Sequence, residues 1–396
     1  MRSICILMMA VVPCLAFAQK KEIGQAKTYI KSGSNYDKAE KLMTDLLKVP
    51  DNRTNEKIYL VWYQSVQKQY EAANEKLYLK QKYDTAAFFN LTRRMYAITE
   101  TLDSLDVLPD EKGRVKLSYR KVHAEEMNRL RPNLYYGGTY NLRKDNYAAA
   151  FDFFDTYLTA ADQPLFTGYD YQKTDSLMPQ AAYWATFSGY KLQDAEKTLR
   201  FSQLALRDAS KAQYVRQYVC EAYLLQHNDS AYVAELREGF NGFPEYPYFF
   251  PRLIDHYNDL ARFDVSLELA DQALKANPTK PLFLLAKSLA LLNLERYDEC
   301  VTVSEQLIEQ DETLPEPYYN IATTYLNQAL ALEKLNEPRK YHDQITELYG
   351  KARPYMEKYR ELAPDDDQRW APALYRVYLN LNMGKQFEEI DRLMKK

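Results

Sequence analysis

The sequence predicts an all-α protein assembled from stacked helix–turn–helix repeats, and three observations carry that expectation. Glycine is scarce, 11 of 396 residues, which leaves little material for the tight turns of a β-sandwich or barrel. Hydrophobic residues make up 46% and charged residues 27%, a balance that supports a packed core and excludes global disorder. Compared with itself at an offset of 34 residues, the chain repeats aromatic, small and proline positions. The length admits two or three ordinary domains of about 150 residues, yet one kind of unit recurs along it. A formal net charge of −3 provides no electrostatic footprint for nucleic acid.

The amino terminus reads as a secretory leader covering residues 1–18. Arg2 is a minimal positive region, and Ile4 to Val12 form an apolar run too short to span a bilayer. Ala16-Phe17-Ala18 puts small residues where a signal peptidase checks, so cleavage is expected between Ala18 and Gln19. Lipidation at Cys14 is disfavoured, because Pro13 precedes it and Leu15, Ala16 and Phe17 follow where a tethered protein starts a polar linker. No later stretch reaches about 18 apolar residues, so no transmembrane segment is expected.

The repeat is clearest in the second half. Steps of 34 residues connect Tyr223, Tyr257, Leu291 and Tyr325; Cys220, Ile254, Ser288 and Ala322; Thr198, Tyr232, Ser266 and Cys300; and Ala205, Gly239, Ala273 and Leu307. Pro244 and Pro278 mark unit ends. Two antiparallel helices approach closely only where side chains are small, and Ser266, Ala270 and Ala273 share one helical face. A lone hairpin leaves an apolar face uncovered, so units must stack. Phe250, Tyr257, Phe263, Ala270, Ala273 and Pro278 stand in the order of the tetratricopeptide repeat (TPR), which residues 247–280 resemble. That resemblance implies a right-handed α-solenoid of TPR-like helix–turn–helix repeats.

In this phase, units cover 179–212, 213–246, 247–280 and 281–314 without insertion. The next has Tyr318, Ala322 and Tyr325 in phase, but its second-helix residues Ala352, Met356, Tyr359 and Pro364 come late. Both its helices are therefore expected to be lengthened, with their turn near Asn336-Glu337-Pro338. A last unit starts at Trp370 and ends in a polar capping helix. Residues 19–165 follow the same logic with looser spacing: Tyr36, Ala39, Met43 and Leu46 on one second helix, a long helix from about 55 to 80, and Leu134, Gly137, Gly138, Tyr147, Ala150 and Phe154 in a further copy. Residues 166–178, with Gly168 and several aromatics, are expected to form a linker or bend between this part and 179–396.

No constellation for catalysis, cofactor or metal emerges. The four histidines lie outside any metal-ligand spacing, and His123 with Glu126 reads as surface polar decoration. Gly137-Gly138 fits a close helix contact better than a phosphate loop. Cys220 and Cys300 fall two units apart in columns that favour small buried residues, so both are expected to be buried free thiols. Asp-(Ser/Thr)-apolar triplets place Thr85, Ser104, Ser176 and Ser230 in a pattern resembling acceptors of a bacterial periplasmic O-glycosylation system, with coincidence the other reading.

The TPR resemblance implies a concave groove lined by first helices and a peptide or protein partner. Helix 281–294 is apolar nearly all round, with Leu282, Leu285, Leu289 and Leu292 as the groove-facing set. These leucines are covered either by a neighbouring helix or by a docked partner. Tyr319, Thr323, Tyr135, Tyr375 and Tyr378 are further groove candidates. The family's lysine–asparagine peptide clamp is missing: its places hold Pro251 and Asp255, Leu285 and Leu289, and Tyr319 and Thr323. The expected function is thus a non-catalytic scaffold or adaptor, exported to the periplasm or beyond and binding another envelope protein. The alternative is an envelope glycan-binding protein that uses exposed tyrosines.

Overall fold

The computed structural model describes residues 19–109, 112–335 and 337–395; the leader, Ala18 and Cys14 lie outside them. Every regular element among the described residues is helical. Two compact units divide at Tyr232 and Val233.

The first unit is a run of antiparallel helix pairs. They are α1 (19–31) with α2 (Tyr36–Leu46), α3 (Glu56–Tyr78) with α4 (Thr85–Asp106), and α6 (Pro132–Leu142) with α7 (Tyr147–Thr159). The short α5 (Arg120–Leu130) precedes α6. α9 (Met178–Lys191) pairs with a broken second helix, α10 (Ala195–Arg200) and α11 (Ser202–Ala205), and α12 (Ala212–Leu225) follows. In residues 166–178, the expected linker or bend, the end of a 3-10 stretch, Pro164–Tyr169, and α8 (Tyr171–Thr174) place Phe166 and Tyr171 in the core beside Leu165. Its aromatics hold it there, since burying such a ring is worth about 1.5–3 kcal/mol.

α13 (Asp229–Gly242) crosses the boundary. The second unit continues with α14 (Phe249–Asp259) and α15 (Phe263–Ala276), then α16 (Pro281–Asn293) and α17 (Tyr297–Gln310). α18 (Pro315–Glu333) and α19 (Pro338–Leu362) are the lengthened pair expected from the late signature. Tyr349, Ala352, Met356 and Tyr359 of α19 are buried at spacings of three and four. α20 (Asp367–Asn380) and α21 (Gly384–Met394) close the chain.

Small residues set how closely the helices approach. A Cβ added to Gly137 or Gly138 would sit 2.6 Å from Phe153 or 2.5 Å from Phe154. One at Gly189 would meet the backbone nitrogen of Thr198 at 2.4 Å, and one at Gly239 the Phe249 ring at 2.3 Å. Ser266, Ala270 and Ala273 are fully buried, as the spacing implies. The half-buried Tyr257 accepts a hydrogen bond from Arg237 Nε at 3.0 Å, joining neighbouring pairs.

The turns repeat with the same period. The amides of Asp194, Asn228, Arg262 and Arg296 each donate to the carbonyl five residues earlier, on Gly189, Tyr223, Tyr257 and Leu291, at 2.8–3.1 Å. This six-to-one bond is the Schellman ending, which needs a left-handed residue just before its donor. Gln193, His227, Ala261 and Glu295 fill that place, with φ of 53–58°. The turns thus run without glycine, at about 1–2 kcal/mol of backbone strain each.

Two outcomes test this packing. Ala261→Gly should raise stability by about 1 kcal/mol, because glycine adopts the left-handed turn without a Cβ clash. Gly189→Ala should lower it by about 1–3 kcal/mol, since the obstacle is backbone. Both are read by thermal melting.

Candidate functional site

Four of the nine groove candidates meet in one cleft of about 770 Å³ in the second unit: Leu289, Leu292, Tyr319 and Thr323. It opens along α16 and α18, the first helices of successive pairs. A buried hydrogen bond of 2.8 Å from Asn320 Nδ2 to Ser288 Oγ fixes these helices against each other, and Ser288 in turn donates to its own helix at Leu285 O.

The lining mixes apolar and polar groups, with Leu330 and Ala331 from the far end of α18 joining Leu289 and Leu292. Asn327 and Thr323 add polar edges, and the charges are Glu295, Lys334 and Arg369. Arg369, at the start of α20, is held in place: its guanidinium lies 3.7 Å from the Tyr319 ring centre, and Nη1 donates to the Tyr359 hydroxyl at 2.9 Å. Burial, with Asp366 accepting its proton, raises the Tyr359 hydroxyl above the ordinary tyrosine range, so it stays protonated. The lining contains no histidine, cysteine or serine that would form a nucleophile–base pair.

The other candidates lie elsewhere. Leu282 is exposed, and Leu285 is half-buried against the α16–α17 core; neither lines the cleft. Tyr375 is half-buried with its ring 4.6 Å from that of Phe387 in α21. Tyr378 is not a groove residue: it is 3% exposed, and its hydroxyl donates to Glu357 at 3.1 Å, because the closing pair α20–α21 turns this position inward. Tyr135 belongs to the first unit, where it is half-buried and borders two openings.

Sequence reasoning missed Asn327, Leu330, Ala331, Lys334 and Arg369. The signal was the lengthened first helix: Leu330 and Ala331 lie in the turns that α18 has beyond the length of α16, and Lys334 caps its end.

The triplet positions differ in setting. Ser176 is exposed in a turn between Asp175 and α9. Ser104 is exposed but lies within α4, its hydroxyl donating to Glu100 O at 3.0 Å. Thr85 and Ser230 sit in the first turns of α4 and α13. Gln19, on the expected cleavage bond, is the first described residue and lies in α1.

Cys220 and Cys300 are both free and buried, and burial raises the Cys300 thiol pKa. His123 departs from expectation. It is 7% exposed, with ring centres of Tyr63 and Tyr119 at 4.7 and 5.9 Å, because α5 packs that face inward. Its partner in the motif, Glu126, accepts instead from the Tyr63 hydroxyl at 2.5 Å and from Gln67 at 2.7 Å. Among the described residues no group of three or more histidine, cysteine, aspartate or glutamate side chains could hold a metal. No described helix is long and apolar enough to cross a membrane.

No family model and no curated protein matches the chain. Solved structures do resemble it. The C-terminal part of a TPR repeat-containing protein from Cytophaga hutchinsonii is 15% identical, with 65% of this chain and 92% of that one covered and a TM-score of 0.43. MamA AMB-1 is 16% identical over 48% of this chain and 94% of that one, with a TM-score of 0.32. Yeast Tom70 is 12% identical over 96% and 91%, with a TM-score of 0.33.

Burial lowers the His123 pKa, against smaller opposing contributions from Glu126, Asp106 and Asp103. A histidine held neutral in the fold takes up its proton more readily when unfolded. Stability is therefore full above the unfolded pKa of about 6.5 and falls as pH drops below it. Melting between pH 7.5 and 5 should show this loss, and His123→Phe should flatten the slope it contributes.

Proposed function

We propose that this array of TPR-like hairpins is a non-catalytic scaffold that holds a protein partner along the α16–α18 cleft. The observation that carries the reading is the cleft itself. Successive first helices bring leucines together with polar side chains and an arginine held by Tyr319 and Tyr359, a composition that suits a protein segment. A volume of about 770 Å³ is in the range of specific ligand pockets. The partner contributes apolar side chains for Leu289 and Leu330 and a carboxylate or carbonyl oxygen for Arg369. The chain acts outside the cytoplasm, as the leader pattern of residues 1–18 supports, and its partner is a periplasmic or other envelope protein.

The test is affinity purification from the native host with Leu289→Asp. An aspartate beside Leu292 and Leu330 leaves a charge unpaired in the complex, so partner recovery should fall at least tenfold with an unchanged circular-dichroism spectrum. Undiminished recovery would remove the cleft from the function. Mass spectrometry of the exported protein should find Gln19 at its amino terminus, and an acylated Cys14 would overturn that part of the reading.

A further inference from the structure

The turn that joins α3 to α4 carries a surface that the packing of the hairpin does not use. α3 ends as other helices of the chain do: the amide of Gln81 donates to Lys76 O at 2.8 Å, and Lys80 just before it is left-handed with φ of 55°. Beyond the turn, the Tyr83 ring stands edge-on to Phe88 with centres 6.1 Å apart, and Phe88 stacks on Tyr70 of α3 at 5.0 Å. Asp84 caps α4, accepting from Ala87 N at 3.0 Å. The tip is thus held at both ends by ordered structure.

Three apolar side chains on that tip face water. Leu77 is 39% exposed, Leu79 53% and Tyr78 84%, the highest value of any large hydrophobic residue among those described. They are consecutive, so they spread around the end of the helix instead of sharing one face. Lys76, Lys80 and Lys82 surround them, all exposed, and among the described residues none of the three pairs with a carboxylate. No acidic residue lies between Lys76 and Tyr83; Glu75 precedes the tip, and Glu71 one turn back is taken by Lys68.

That arrangement selects a partner. A groove on another protein covers one face of a helix, which three consecutive residues do not form. The interfacial layer of a bilayer takes apolar side chains from every direction. Tyrosine settles where hydrocarbon meets headgroups, and lysine stems lie along apolar surface while their ammonium groups reach into the polar layer. The complementary charge is lipid phosphate. We propose that the α3–α4 tip, Leu77, Tyr78 and Leu79 with Lys76, Lys80 and Lys82, docks this protein on the surface of an anionic phospholipid membrane. The apolar side chains enter the headgroup layer of one leaflet and the lysines bind its phosphates. With so small an apolar anchor the contact is weak and reversible. The proposal rests on the tip alone and is independent of the α16–α18 cleft.

Co-sedimentation with vesicles tests it, using the chain from Gln19 onward, which keeps every described residue and leaves out the leader. Phosphatidylglycerol vesicles should bind the protein about tenfold or more tightly than phosphatidylcholine vesicles, and raising sodium chloride from about 0.1 to about 1 M should remove most of that preference. Tyr78→Asp should weaken binding to phosphatidylglycerol about tenfold. Lys76→Gln, Lys80→Gln and Lys82→Gln combined should abolish the preference for anionic lipid, since each lysine at such a surface is worth about fivefold. Glutamine already fills the left-handed place at Gln193, and all the altered side chains are exposed, so circular dichroism and melting should not change. Leu289→Asp should bind vesicles as the unaltered chain does, which separates the tip from the partner cleft. Absence of binding, equal binding to both lipids, binding indifferent to Tyr78→Asp and to the triple lysine variant, or loss of binding in Leu289→Asp would each overturn the proposal. So would a dimer in sedimentation velocity that Tyr78→Asp dissolves, in place of vesicle binding, which would make the tip a contact between copies.

Discussion

Close approach of paired helices at positions without side-chain bulk is the constraint on which the structure depends. At Gly137, Gly138, Gly189 and Gly239 the space a Cβ would occupy is already filled by a ring or by backbone. Ala270 and Ala273 play the same part in the 247–280 copy. Dispersion falls steeply with distance, so a gap of even one methyl at such a contact forfeits attraction along both helices. Large side chains then fill the grooves that the small ones open. Phe153, Phe154 and Phe249, each at most 1% exposed, lie directly over glycines.

The turns obey a second rule, derived from the first. A helix pair of fixed separation needs the chain to reverse within a few residues, and the Schellman ending does this with one left-handed residue. The chain uses glutamine, histidine, alanine and glutamate there. Four glycines, Gly137, Gly138, Gly189 and Gly239, stand instead at helix contacts where nothing larger fits. Scarce glycine therefore pointed to helices for a sound reason, although the turns themselves do require the conformation glycine adopts most easily.

The clefts of both units arise from the same geometry. First helices of neighbouring pairs lie side by side, and whatever residues they carry outside the packing positions form a concave surface. In the second unit that surface is leucine-rich and bordered by Lys334 and Arg369. In the first it is aromatic, with Tyr135, Tyr136 and Trp184. Lengthening of α18 enlarges the former, and the packed segment 160–177, tied down by Arg131 and Asp175, bounds the latter at one end.

Periodicity in the sequence determined the helix pairs, their order, the lengthened pair near 315–364 and the burial of both cysteines, because each depends on local spacing or on a repeated small residue. It also placed Leu289, Leu292, Tyr319 and Thr323 on facing helices. Only the tertiary structure decided which way an aromatic or polar residue turns when both directions suit its helix. Tyr378 is buried with its hydroxyl on Glu357 of α19, and His123 is buried against Tyr63 of α3, sixty residues earlier. Arg369 joins the cleft because its helix begins beside Tyr319, fifty residues earlier in the sequence, a contact that no local pattern encodes.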